Sequence, residues 1–170
     1  MKPVIPSNLI IRNELRPGDL GTIIHLHGAM YADEYNYGIS FESYVAAGLA
    51  EFYRQYDPER DRVWIVEDEG RMVGFLLLMH RGEKTCQLRY YLLLAPYRGM
   101  GIGKKMMEEY MQWMDEKGYD HSYLWTTNEL PAAASLYTRY GFTLSEEKPS
   151  DAFGKPVIEQ RYDWYLSPGY

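Results

Sequence analysis

The densest chemical signal in the chain is the run Arg98-Gly99-Met100-Gly101-Ile102-Gly103-Lys104-Lys105. Glycines without a Cβ let the backbone approach a ligand closely, and a helix starting here offers unpaired N–H groups to an anion. Three cations beside those glycines, in a chain of net charge −6, make phosphate the natural guest. Two nucleotide signatures fit poorly. The dinucleotide fingerprint needs G-x-G-x-x-G, and here the third glycine, Gly103, comes one position early. The P-loop needs G-x-x-x-x-G-K-[ST], but Arg98 stands where its first glycine belongs and Lys105 replaces the hydroxyl that would hold magnesium. On spacing alone, an ordinary glycine-rich turn with solvated lysines competes with a phosphate cradle.

The elements around this run must position it. Residues 9–15 read as a short strand stopped by Arg16-Pro17-Gly18, and Asp19 then caps a helix carrying Leu20, Ile23, Ile24, His27 and Tyr31 on one side. Ser40 caps a second helix, with Phe41, Tyr44, Val45, Leu49 and Phe52 on one face. The period then changes. Residues 62–67, 72–80 and 85–94 read as three strands joined by short turns, an antiparallel meander. The middle one is nearly continuously apolar, as a strand covered on both faces would be. After the glycine run, Ile102, Met106, Tyr110, Trp113 and Met114 mark a helix that stops at Lys117-Gly118. Residues 121–127 read as a strand and 131–140 as a short helix with proline in its first turn. Residues 142–144 and 157–166 read as closing strands, separated by a polar stretch over 145–156. The order β-α-α-β-β-β-α-β-α-β-β is that of an α/β protein, a mixed sheet with helices packed on it.

Composition narrows the function classes. With 170 residues, 46% of them hydrophobic and 25% charged, the chain is expected to form one domain over residues 1–170. The negative balance argues against general affinity for nucleic acid or anionic lipid. The single cysteine, Cys86, excludes an intrachain disulfide and a cysteine-held zinc, and it reads as a strand core residue. Ligand spacing gives no support for a metal. No apolar run is long enough to span a bilayer, and the first residues lack a secretory pattern, so a cytoplasmic location is expected.

The run from Arg98 to Gly103 resembles the R/Q-x-x-G-x-G/A signature of the GNAT N-acetyltransferase superfamily, whose loop wraps the pyrophosphate of acetyl-CoA. A second segment, Ala133-Ala134-Ser135-Leu136-Tyr137-Thr138-Arg139-Tyr140-Gly141-Phe142, resembles the family's A-x-x-L-Y-x-x-x-G-F. The two lie at the family's separation and in its element order, and residues 9–166 fit its topology. Residues 19–61 and 124–142 also resemble acetyltransferase domains fused behind a MarR-type winged helix, which is not expected here because the first strand begins near residue 9. The resemblance implies a GNAT-like, mostly antiparallel twisted sheet flanked by about four helices. It implies acetyl-CoA as co-substrate, no metal, and a small-molecule or peptidyl amine as acceptor. It places the pantetheine arm near Leu92 and Leu93, and the pyrophosphate on Arg98, Gly99, Met100, Gly101, Ile102, Gly103 and Lys104. Tyr137 aligns with the general acid that protonates the departing thiolate. By residue type alone, Tyr137 is one of 17 tyrosines and reads as packing.

Two positions depart from the family pattern. Gln87 stands where many members carry an acidic base on the fourth strand, and an amide takes no proton. Leu130 stands where many have asparagine; Asn128, just upstream, is a candidate cofactor contact as well as a turn residue. The base must then come from His25, His27, Glu34 or Glu83, or from water. For the acceptor, the segment from His27 to Tyr37 sets aromatic rings beside carboxylates, which suits a cationic amine, with His27, Tyr31 and Glu34 as the candidate contacts. Exposed aromatics would be compatible with a homodimer. The competing function from another class is a non-catalytic acyl-CoA-binding sensor or regulatory partner module.

Overall fold

The computed structural model describes residues 4–169. In chain order the elements are β1 (Leu9–Arg12), α1 (Asp19–Tyr35), α2 (Ile39–Arg54), β2 (Arg62–Asp68), β3 (Arg71–Gly82), β4 (Thr85–Leu93), α3 (Ile102–Lys117), β5 (His121–Thr127), α4 (Pro131–Arg139), β6 (Thr143–Ser150) and β7 (Val157–Tyr165). A single 3-10 turn, Ala95–Tyr97, connects β4 to the glycine run. The strands form one sheet in the order β1-β2-β3-β4-β5-β7-β6. Every neighbouring pair is antiparallel except β4 and β5. The expected fold class and element order are both found.

Side-chain alternation along β3 divides the interior into two cores. Leu76 and Leu78 join Trp64, Met106, Tyr110 and Phe142 on the face covered by α3 and α4. Phe75, Leu77 and Met79 join Ile23, Val45, Leu49 and Phe52 on the face covered by α1 and α2. That double cover is why the strand's sequence is apolar at nearly every position rather than at every second one. Cys86 is fully buried in the first core, and burial pushes its thiol up to about 12.

Three boundaries differ from the sequence expectation. Asp19 does not cap α1; Gly18 occupies that position. The Asp19 carboxylate instead accepts hydrogen bonds from both terminal nitrogens of Arg12, at 2.7 and 2.6 Å, and from the backbone N–H of Arg16. Arg12 also donates to Glu67 at 2.6 Å, so this ion triad ties β1, the start of α1 and β2 together. Helix α2 starts at Ile39, one residue before Ser40. Most of the polar stretch after Leu144 is strand, since β6 runs from Thr143 to Ser150. It is the sheet's edge, solvated along almost its whole length, so it carries no apolar alternation and tolerates Pro149 and three charges.

Candidate active site

The site is built on an irregularity in β4. Leu92 faces Phe75 of β3, and Arg89 faces Leu77, so three steps along β4 match two along β3. The extra residue is a β-bulge, with Tyr90 at φ +60. Because of it, the consecutive residues Arg89 and Tyr90 both reach α2, while Tyr91 lies on the α3 side against Gly103. Gly48 of α2 makes room for the first two. A methyl group there would fall 1.7 Å from the Tyr90 hydroxyl and 2.6 Å from Nη2 of Arg89.

Beyond the bulge the sheet opens. The parallel pairing of β4 with β5 ends at Gln87 and Tyr123. A groove fills the gap, with Tyr91, Leu92 and Leu93 along one wall and Pro131, Ala133 and Leu136 of α4 along the other. The glycine run closes its end. Gly99 and Gly101 hold φ values of +76 and +86, conformations that favour glycine, and Gly101 is the residue that starts α3. The first helical bond runs from the N–H of Lys105 to the Gly101 carbonyl. Among the described residues, no protein acceptor takes the N–H of any residue from 99 to 104. These donors at the positive end of a helix, with Lys104 on the groove wall, suit a pyrophosphate.

The candidate residues of this run do not contribute alike. Ile102 is buried in the first core, so only its backbone groups are available to a ligand, while Met100 is half-buried against that core. The Arg98 side chain is already engaged: Nε donates to the Leu93 carbonyl at 2.8 Å, and Nη1 and Nη2 donate to the two Glu34 oxygens at 2.6 and 2.8 Å. Asn128 lies outside the groove. Its side-chain oxygen accepts the N–H of Ile158, and its own N–H donates back to the Ile158 carbonyl, the work of a turn residue joining β5 to β7.

A second cavity, of about 110 Å³, lies on the α1–α2 side of the splayed strands. It shares Tyr31, Tyr91, Leu130 and Ala133 with the groove, so the two meet there. Tyr137 lines it, buried, with no protein partner for its hydroxyl among the described residues, and burial raises its phenol well above the ordinary value. His27 and Tyr31 line it too; Glu34 does not. The His27 Nδ1 lies 2.8 Å from the Ile23 carbonyl, which can only accept, so the proton is on Nδ1 and Nε2 carries a lone pair. That Nε2 has no partner, and burial lowers the ring to about 4.

The other proposed bases do not reach the cavity. His25 and Glu83 are exposed, and the Arg98 hydrogen bonds hold Glu34 below the usual carboxylate range. The expected pairing of rings and free carboxylates at the end of α1 is therefore corrected: Glu34 is spent on Arg98. Gln87 is buried in the cavity wall and accepts from Nε of Arg81 at 2.8 Å. Sequence reasoning missed Arg89 and Glu159, the cation and the carboxylate that line this cavity. A charged residue inside an otherwise apolar strand was the signal available for Arg89.

Residues 29–142 match the acetyltransferase (GNAT) family. The uncharacterized N-acetyltransferase YjgM of Escherichia coli (strain K12) is 34% identical over 97 residues, covering 55% of this chain and 58% of that protein. The chain thus spans a little over half the length of that curated relative. A GNAT-family acetyltransferase structure from Staphylococcus aureus Mu50 superposes with a TM-score of 0.77 at 20% identity, covering 94% of this chain and 99% of the other. The Salmonella typhimurium protein YncA, solved with its cofactor acetyl-CoA, has a TM-score of 0.70 at 14% identity, covering 96% of each chain. At those identities the structural matches speak to the fold.

Proposed function

The chain belongs to the GNAT acetyltransferase family, and from that premise we propose that it transfers the acetyl group of acetyl-CoA to an amine, with Tyr137 as general acid. Acetyl-CoA supplies the acetyl group as a thioester: the amine nitrogen bonds to the acyl carbon, the C–S bond breaks, and the sulfur leaves with the electron pair. The amine loses one proton and the thiolate gains one. The observation that carries this reading is the junction of two cavities beside Tyr137, one floored by free backbone N–H groups and the other closed by aromatic rings.

Each residue has a defined task in this reading. The N–H groups of residues 99–104 hold the pyrophosphate, with Gly99 and Gly101 shaping the turn and Lys104 adding charge. Leu92 and Leu93 lie on a strand edge that has no strand partner beyond Gln87, which suits an extended arm. Tyr137 is protonated across the physiological range, as burial only raises its phenol further, so a proton is present there for the leaving sulfur. Glu159 is the one carboxylate lining the acceptor cavity among the described residues, and no protein donor or cation meets it there. It takes the amine's proton, directly or through water. His27, held neutral and half-satisfied, and Tyr31 bound the acceptor side.

The test is Tyr137→Phe. Removing a positioned acid is expected to lower kcat by about 10²–10⁴-fold. Acetyl-CoA affinity, measured by calorimetry, should stay within about threefold, since Tyr137 does not line the groove. A variant turning over at the wild-type rate removes the acid role.

A further inference from the structure

Arg89 is placed as an anion receptor, because its partners within the fold leave its charge incompletely met. Its side chain is 9% exposed, it lines the acceptor cavity, and its one ion pair among the described residues is a long one. The nearest carboxylate, Glu51, stays 3.7 Å away with its other oxygen held by Arg81 at 2.7 Å. Glu51 is half-exposed and shared with Arg81, so it offsets the Arg89 charge only in part. The guanidinium is fixed in place by other means. It lies 4.7 Å from the centre of the Tyr90 ring and 6.0 Å from that of Tyr44, and it rests against the bare Cα of Gly48. A guanidinium presents five N–H donors in a planar fork, and a ligand carboxylate can meet two of them at once. Gly48 and the β4 bulge are what hold this fork at the cavity, since a methyl at position 48 would collide with it.

We infer that Arg89 binds a carboxylate of the acceptor, which makes the acceptor an amino acid or a closely related amino carboxylate. The inference rests on the acetyl-transfer reading above and specifies its second substrate. The cavity supplies both poles such a zwitterion needs. Arg89 comes from β4 and Glu159 from β7, and the aromatic rings of Tyr37, Tyr44 and Trp125 lie in the same wall. The volume of about 110 Å³ suits a small molecule better than a peptide segment. A bidentate guanidinium–carboxylate contact also fixes the orientation of the amine relative to the groove.

The experiment compares L-amino acids with their own primary carboxamides, which keep the amine and side chain but lose the negative charge. Release of CoA thiol should favour the acids by roughly 30- to 100-fold in kcat/KM, the span expected of a charge-assisted pair. In Arg89→Gln that preference should collapse to within about threefold, through KM more than kcat, and Arg89→Lys should fall between. Glu51→Gln, a change at a half-exposed position, should raise the preference for acids by removing the competing charge. Equal use of acids and amides by the wild type overturns the inference, as does a preference that survives Arg89→Gln or falls in Glu51→Gln. Should Arg89→Gln fail to fold, the Lys and Glu51 variants decide. Thermal unfolding with amino acid or amide alone separates this idea from its premise: a shift specific to the acids supports the anion site even if no amine releases CoA.

Discussion

The guanidinium of Arg98 and the carboxylate of Glu34 meet through two parallel hydrogen bonds, joining the end of α1 to the entrance of the glycine run. With Nε committed to the Leu93 carbonyl as well, Arg98 is a strut between β4 and α1 rather than a free cation waiting for phosphate. A strut and a direct phosphate ligand make opposite predictions for Glu34. If Arg98 acts by positioning, Arg98→Ala and Glu34→Ala should each weaken acetyl-CoA binding by about tenfold, and the double variant should be little worse than either, a coupling of about 1–2 kcal/mol. Calorimetric titration of the four proteins reads this directly. Tighter binding in Glu34→Ala would instead show that the carboxylate competes with the pyrophosphate for Arg98.

His27 predicts the acid limb of stability. Its ring is 2% exposed and its folded value is lowered from 6.5 to about 4, chiefly by burial, with the Ile23 carbonyl opposing weakly. A group depressed on folding binds fewer protons in the native state. Its contribution is therefore intact above pH 6.5 and is lost as the pH falls toward 4. The shift corresponds to about 3 kcal/mol across that window. Urea unfolding of wild type and His27→Gln at pH 7.5 and pH 4.0 isolates the effect, because the carboxylates are shared. The wild type should lose about 3 kcal/mol more than the variant; equal losses would mean that His27 is hydrated in the folded state.

What the sequence disclosed follows the range of the interactions involved. The glycine run and the Tyr137 segment are contiguous, so their spacing alone was enough to find them, and the strand-turn-helix context fixed where they sit. The roles of Arg89 and Glu159 were out of reach for the opposite reason. Arg89 reaches the cavity only because β4 slips one residue against β3, a register event that depends on residues far along the chain. Glu159 enters from β7, whose position beside β5 is set by a sheet order that no local pattern encodes. Only the first two residues of the polar strand β6 fall within the strand expected over 142–144, because an edge strand solvated on both faces has no alternation to detect. Glu34 shows a further limit: residue type suggested a carboxylate open to an amine, while its partner lies in Arg98, in the loop after β4.

Two glycines of the run should fail differently when replaced, which tests how the loop is built. Gly101 has a positive φ and open space around the missing Cβ, so Gly101→Ala is strained by the backbone alone, at about 1 kcal/mol. No second substitution nearby should relieve it. Gly103 is an interior position of α3 where alanine favours the helix, but a methyl there would fall 2.4 Å from the Tyr91 hydroxyl and 3.5 Å from the ring carbon that bears it. The obstacle in Gly103→Ala is a single oxygen atom. Removing it with Tyr91→Phe should therefore rescue the variant, leaving the double mutant at least as stable as Tyr91→Phe alone in denaturant melts. Acetyl-CoA affinity should recover with it, since Tyr91 lines the groove that the displaced ring would narrow. Affinity that stays low in a pair whose stability has recovered would instead place the bound pyrophosphate close against residue 103.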